Sequence, residues 1–554
     1  MRPRIGWVLL LLLAISLGLG TDRAWPAVSG DSPSGLQAKK APQAKAPAPQ
    51  AKAQAAIPKP QGVFTMPIEF DISTLDPSKA LAWTSRNVWA NIFMALAGPS
   101  GLDWKTIPFL AESWQNVNQN TWKFTLRQGI RFQDGSPMTS ADMKFSFDRV
   151  MGRLNPRFPG YLKRMYSDLI DTIETPDART IVFTTKYADP LFPWFIGAVF
   201  MVPKAYIEKV GDDGFAENPV GQGPYKYKEW KRGESVTLEA NEDFFNTHPK
   251  KGELGYSKIK TVNFRVIPEM QTRVAALEAG EVDAMLGVGY DEAKALEKNL
   301  KITVFYTPVN NPQIIMFNWR ADKDPAAGKP NPFLDVRVRQ ALIYALDLDA
   351  IIKHYLTGRE YRTTLVGKGS SGYNPKVPFY RYNPEKAKSL IREAGYPDGF
   401  EMPFHVATDV RPETEAITQY WRDAGIRVQL KHTTQAVVMN QVLHKELYGL
   451  VGWNLGRGSE TRRGFFDTML LYDGMYALHA KDERIEKLVN QWVVEFDPAK
   501  RNAQTNEIIQ ILWKDAWYVP LWEPVAITAL RKEWKYEYLP AVPGLWLPNI
   551  SPKK

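Results

Sequence analysis

The sequence of 554 residues contains no cysteine and only six histidines. Without cysteine there are no disulfides, thiol nucleophiles, iron–sulfur clusters or cysteine-ligated zinc, and no lipid-modified amino-terminal cysteine. The histidines (His248, His354, His405, His432, His444 and His479) never fall at i, i+4 spacing, so no helix offers a two-histidine metal face. Enzyme signatures are also missing: there is no GxSxG elbow, Gly-rich phosphate loop, GxGxxG or HExxH. The SxxK tetrad Ser257–Lys260 lacks its SDN and KTG companions and lies in a strand-like run, which marks it as chance. No catalytic residue, metal site or cofactor is expected. The acidic groups Glu278/Glu281/Asp283 and Asp347/Asp349 flank helix ends, where carboxylates stabilise exposed amides.

A concentrated charge of one sign is lacking too. The net charge is +10, but residues 1–61 hold eight basic and two acidic side chains, so +6 of it lies there and only +4 is spread over the rest. That is too dilute for a duplex-binding stripe, and no nucleic-acid partner is expected. Long hydrophobic runs are absent except for Val8–Leu19, which follows Arg2 and Arg4. This run is shorter than the roughly 20 residues needed to span a bilayer and reads as a secretory signal peptide over 1–27, with small residues for cleavage at Gly18-Leu19-Gly20, Ala24 or Ala27. Residues 28–61 form an Ala/Pro/Lys-rich linker that cannot bury a core and behaves as an extended tether.

What is present is a body of ordinary globular composition, 44% hydrophobic and 23% charged, long enough for three or four domain-sized units. Thr139 with Asp142 forms a capping box ahead of Met143, Phe147, Val150 and Met151. Asn383-Pro384 caps a helix that Gly395 ends. A helix over 412–424 stops at Gly425 and gives way to the alternating Ile426, Val428 and Leu430. The same order recurs in a helix over 269–279, Gly280, and a buried strand over 282–288. Strands are also expected at Thr121–Leu126 with Ile130–Phe132, at Thr180–Thr185, and over 225–238 around Lys231-Arg232-Gly233-Glu234. Alternation of helix and strand beside an antiparallel portion predicts an α/β chain of several lobes with mixed sheets, its ligand in a crevice between them. The 18 tryptophans are mostly core, with a few left to line such a cleft.

Ordered sequence words then point further. They include Leu75-Asp76-Pro77, Leu110-Ala111-Glu112-Ser113-Trp114, Phe124–Gly135, Val220-Gly221-Gln222-Gly223-Pro224-Tyr225, Arg273–Asp283, Phe333–Leu342, Asn383–Ala387 and Ala394-Gly395-Tyr396. Through roughly residues 62–550 the chain resembles the family 5 extracellular solute-binding proteins of peptide and nickel type ABC importers.

The resemblance implies a two-lobed periplasmic-binding-protein clamp with an extra subdomain on the first lobe. Lobe I would span 62–284 and lobe II 285–515, and 516–554 would return to lobe I, with two crossing strands as hinge. It also implies a periplasmic monomer that performs no chemistry, captures a small molecule or peptide, and delivers it to a permease and ATPase complex in the inner membrane. A ligand sensor or chaperone-like module of the same fold is the alternative.

Peptide binders of the family hold the peptide amino group with an aspartate three residues after a tryptophan at a strand end. Here that tryptophan corresponds to Trp453, followed by Asn454, and the third residue is Gly456. A buried ammonium would lack its partner there, whereas Arg457, Arg462 and Arg463 suit carboxylate or phosphate. Glu460 and the cleft-edge Asp71 are the acidic candidates. The expected ligand-binding set is therefore Asp71, Trp453, Asn454, Gly456, Arg457, Glu460, Arg462 and Arg463.

Overall fold

A computed structural model describes residues 59–553, apart from 80–82, 100–104, 159–161, 245–255, 310, 324–327, 329, 368–371, 408–411, 455–464 and 537–545. The expected signal peptide and nearly all of the linker lie outside the described residues. β1 (Gln61–Ile68) opens the described chain, and β2 (Ala97–Pro99) pairs with β3 (Thr106–Pro108). β4 (Ala111–Asn118), β5 (Thr121–Leu126), β6 (Ile170–Asp177) and β7 (Thr180–Thr185) form an antiparallel sheet in the order β4-β5-β7-β6. β8 (Tyr225–Lys231), β9 (Ser235–Ala240) and β10 (Ile259–Val266) then join β1 in the order β1-β10-β9-β8, with β1 parallel to β10.

β11 (Ala284–Leu286) and β12 (Ile302–Pro308) lead into β13 (Gln313–Phe317). After β14 (Tyr361–Arg362) come β15 (Phe400–Ala407), β16 (Ile426–Thr433) and β17 (Leu450–Asn454). The chain returns through β18 (Val519–Pro520), β19 (Trp522–Glu523) and β20 (Val525–Arg531), and β21 (Trp534–Tyr536) pairs with β22 (Ile550–Pro552). The later sheets have the orders β11-β20-β12 and β16-β15-β17-β13-β18.

Local chemistry accounts for many of these elements. Asp142 reaches back to accept the Thr139 backbone N–H at 2.9 Å, closing the capping box of helix Ser140–Val150. Asn383 accepts from Lys386 N at 2.9 Å and starts helix Pro384–Glu393. Helix Met270–Ala279 ends on Gly280, whose φ of 82° is left-handed. The expected strand over 282–288 contracts to β11, because Gly287 takes φ 64° and turns the chain. Ile130–Phe132 is no strand: only an isolated bridge joins Arg131 to Pro137, and Phe132 N closes a turn onto Ser136 O at 2.9 Å. Ser257, the head of the SxxK tetrad, donates its hydroxyl to Pro224 O just before β10.

The five-stranded sheet carries a core on each face. Ile315, Phe317, Phe404 and Leu450 pack into one, while Ile314, Met316 and Val451 pack into the other, as the two-residue period of a strand requires. The antiparallel sheet β4-β5-β7-β6 has its own core around Phe124, Phe147, Phe183 and Phe192. β1, β9 and β10 contribute Phe64, Leu238 and Phe264 to a further one.

Candidate functional site

β17 lies inside the five-stranded sheet, parallel to β15 and antiparallel to β13. β16 runs parallel to β15, so β15, β16 and β17 direct their carboxyl ends to one edge, where open α/β sheets take ligands. Leu450 and Val451 are fully buried, but burial ends within two residues. Gly452 is exposed, and a Cβ there would meet nothing within 4 Å. The Trp453 ring is half-buried and sits 5.3 Å from Tyr476 at 53°. The strand thus passes from dry core to an open aromatic surface at its end, which favours contact with a partly apolar molecule.

Two runs of chain link the first sheets to this one, and they run side by side. β12 pairs antiparallel with β20 from Ile302↔Arg531 to Pro308↔Val525. Val309 N then donates to Pro524 O at 3.3 Å, Leu521 N donates to Gln313 O at 3.0 Å, and β13 pairs with β18 through Ile314↔Pro520 and Ile315↔Val519. The sheet systems also touch away from this crossing. Trp122 of β5 lies 6.3 Å from Phe496 at 24°, and Leu191 is buried among Val438, Leu470 and Trp492.

Of the residues expected at the site, Trp453 stands at the end of β17, and the backbone of Asn454 closes that strand opposite Gln313. Gly456, Arg457, Glu460, Arg462 and Arg463 lie outside the described residues. Asp71 lies elsewhere, on the β8–β9 turn: Oδ1 accepts Trp230 Nε1 at 3.0 Å and Oδ2 accepts Gly233 N at 2.7 Å. Arg232 covers the same Trp230 ring at 4.0 Å. Tyr476, the neighbour of Trp453, carries no signal in the sequence, because no local repeat marks it.

Two carboxylates bind distant segments together. Asp283 accepts Thr65 N at 2.7 Å and Trp534 Nε1 at 2.9 Å, and burial pushes its carboxyl above the usual range. Asp76 is held by Arg149. Burial acts to lower that guanidinium, but Asp76 and Asp212 outweigh it and keep it above the ordinary arginine value. Among the described residues no three His, Asp or Glu side chains gather as a metal site, and no helix is long and apolar enough to cross a membrane.

Separate sheets joined by paired crossing runs define a class, the two-lobed periplasmic binding proteins. The periplasmic binding protein DppA of Helicobacter pylori, solved with the peptide STSA, superposes with a TM-score of 0.70 at 24% identity over 89% of this chain and 98% of its own. AgaA of A. tumefaciens R10, solved with agropinic acid, gives 0.66 at 26% identity over 89% of this chain and 99% of its own. Residues 105–477 match the family described as "Bacterial extracellular solute-binding proteins, family 5 Middle", and the chain belongs to the family 5 extracellular solute-binding proteins. The glutathione-binding protein GsiB of Salmonella typhi is 30% identical over 336 residues, which are 60% of this chain and 61% of that relative. The match therefore spans less than two thirds of the relative's length.

Proposed function

We propose that this chain is an exported, non-enzymatic receptor that captures a peptide-like, anionic small ligand between two lobes and hands it to a permease and ATPase complex in the inner membrane, from the periplasm. The observation that carries this reading is the paired crossing, β12 beside β20 and β13 beside β18, by which the chain passes out and back between sheets that each carry a core. In this reading lobe I begins near 62 and carries the β4-β5-β7-β6 sheet as its extra subdomain. In the same reading lobe II runs over about 285–515, and the paired runs β12 and β20, with Val309 N on Pro524 O, are the connection between the lobes.

The end of β17 supplies one wall of the ligand site. Gly456 in place of a carboxylate, with Arg457, Arg462 and Arg463 close behind in sequence, favours an acidic ligand over a bare peptide amine. A relative named for binding glutathione and a structural neighbour solved with agropinic acid, both acidic molecules, fit that chemistry.

The test is calorimetric titration of the purified protein with glutathione, agropinic acid and neutral dipeptides, with small-angle scattering of each mixture. An acidic ligand should bind and shrink the radius of gyration, because only the closed form contacts it from both sides. Trp453→Ala should weaken that binding about tenfold or more, as expected for losing a half-buried aromatic contact worth roughly 1.5 kcal/mol. Unchanged scattering and no heat across the panel would refute the reading.

A further inference from the structure

Lys445 occupies a strained place in the backbone. Helix Gln435–Leu443 ends at His444, and the next residue is Lys445, with φ 62° in the left-handed region where a helix end ordinarily places glycine. A residue with a side chain is strained there, and such strain gathers where that side chain has another task. The task is visible in its contacts: Lys445 Nζ donates to Gly474 O and to Met475 O, both at 2.7 Å.

Those carbonyls belong to a turn that is pinned along its length. Tyr472 N donates to Glu486 Oε1 at 2.6 Å, and Tyr472 O accepts from Arg320 Nη1 at 2.5 Å, with the Arg320 guanidinium 3.6 Å from the Tyr472 ring. A Cβ at Gly474 would lie 2.7 Å from both Asp467 O and Thr468 O, so the turn rests directly on the helical turn Phe466–Leu470. Tyr476 N donates to Thr468 O at 2.7 Å, and the Tyr476 ring then meets Trp453 at 5.3 Å. Gly474 O has a further donor in Ala477 N at 3.1 Å, whereas the donor to Met475 O, on the peptide leading into Tyr476, is Lys445.

From these observations we infer that Lys445 is a positioning residue of the ligand site: by gripping Gly474 O and Met475 O it fixes Tyr476 against Trp453, and so sets how tightly the aromatic wall at the end of β17 holds its ligand. The inference rests on the reading that β17 supplies that wall. The grip is also titratable. Burial pulls the Lys445 ammonium down to about 8; Arg320 adds to that fall and Asp473 opposes it. The other charged groups around it are Glu486 across the turn, His444 and Glu446 on its own element, and His479, whose imidazole burial pulls down to about 4. A neutral amine makes bonds roughly half as strong as an ammonium does, so Tyr476 should loosen as pH rises through about 8.

The test is fluorine NMR of the full chain labelled with 5-fluorotryptophan, in which the Trp453 resonance is the one that Trp453→Phe removes. Tyr476→Leu should shift that resonance, Lys445→Met should shift it the same way, and Lys445→Arg, which keeps a cation, should leave it in place. Between pH 7 and 9 the wild-type resonance should move towards its Lys445→Met position with a midpoint near 8, and neither Lys445 variant should titrate there. In calorimetry at pH 7, whichever of glutathione and agropinic acid binds should bind at least about fivefold more weakly to Lys445→Met than to Lys445→Arg. A Trp453 resonance unmoved by Lys445→Met, a flat wild-type resonance between pH 7 and 9, a titration that persists in Lys445→Met, or equal affinity of the two Lys445 variants would each overturn the proposal. The wild-type titration decides the matter even if Lys445→Met folds poorly. Silence of both acids would overturn the acidic-ligand reading, while the resonances, recorded without ligand, judge Lys445 separately.

Discussion

Replacing Arg149 by methionine should destabilise the protein more than any surface ion pair could. Asp76 is 0% exposed, and Arg149 grips it with Nη1 on Oδ1 at 3.0 Å and Nη2 on Oδ2 at 2.5 Å. The same guanidinium also reaches Asp212 Oδ1 through Nε at 3.0 Å and Nη2 at 2.6 Å, and it stacks 4.5 Å from the Phe158 ring. Methionine keeps most of the volume but leaves the Asp76 carboxylate buried without its cation, with only the Ser78 N–H (3.0 Å) to satisfy it among the donors named. A buried charge stripped of its partner costs about 3–5 kcal/mol, against less than about 1 kcal/mol for an exposed pair.

Asp76→Asn leaves Arg149 its contact with the part-exposed Asp212 and should cost less, about 1–3 kcal/mol. The double variant should be more stable than the sum of the two losses implies, because methionine and asparagine leave no unpaired charge between them. Urea unfolding followed by circular dichroism and tryptophan fluorescence measures all three. A loss below about 1 kcal/mol for Arg149→Met, or strict additivity in the double variant, would refute the argument.

The glycines of Val220–Tyr225 and the buried His479 offer two further tests. A Cβ at Gly221 would lie 2.1 Å from Ile92 O, and one at Gly223 2.6 Å from Asn91 O, so Gly221→Ala or Gly223→Ala should cost about 3 kcal/mol, read as a drop in urea midpoint. Gly233→Ala, where φ is +75° but nothing lies within 4 Å, should cost only about 1 kcal/mol, and equal losses at Gly221 and Gly233 would refute the close-approach argument. His479 packs 4.5 Å from Trp517, and burial pulls its imidazole down to about 4 from 6.5. As pH falls from 6.5 towards 4 the unfolded chain takes the proton first, so up to about 3 kcal/mol of stability is lost over that window. His479→Phe should flatten this part of the plot of melting temperature against pH, and an unchanged slope would exclude His479 as its source.

Element ends marked by their own side chains were legible in the sequence. Thr139 with Asp142 and Asn383 with Pro384 specify helix starts through bonds made within four residues, and Thr121–Leu126 and Thr180–Thr185 are strands with the expected limits. The strand expected over 282–288 was cut short by a backbone turn at Gly287 that apolar patterning does not encode. Partners remote along the chain were equally hidden: nothing near Val525–Arg531 announces that it will lie between Ala284–Leu286 and Ile302–Pro308. The site shows the same division. Trp453 and Asn454 were placed at a strand end through the family resemblance, but Asp71 could not be assigned to the Trp230–Gly233 turn, since its acceptors are filled by donors about 160 residues away. The Tyr476 ring beside Trp453 depends likewise on a three-dimensional neighbour.

The crossing itself is rich in proline: Pro308 and Pro312 on the outgoing run, Pro520 and Pro524 on the return. Each ring locks its own φ near −65° and removes an amide donor, so four of the torsions that could flex in this ribbon are frozen. Any swing of one half against the other has to be taken up by the few unlocked bonds between them, such as those of Val309 and Leu521. Such a ribbon constrains the swing to a narrow, repeatable arc, as a stiff leather strap does for a gate, and it resists sideways slip.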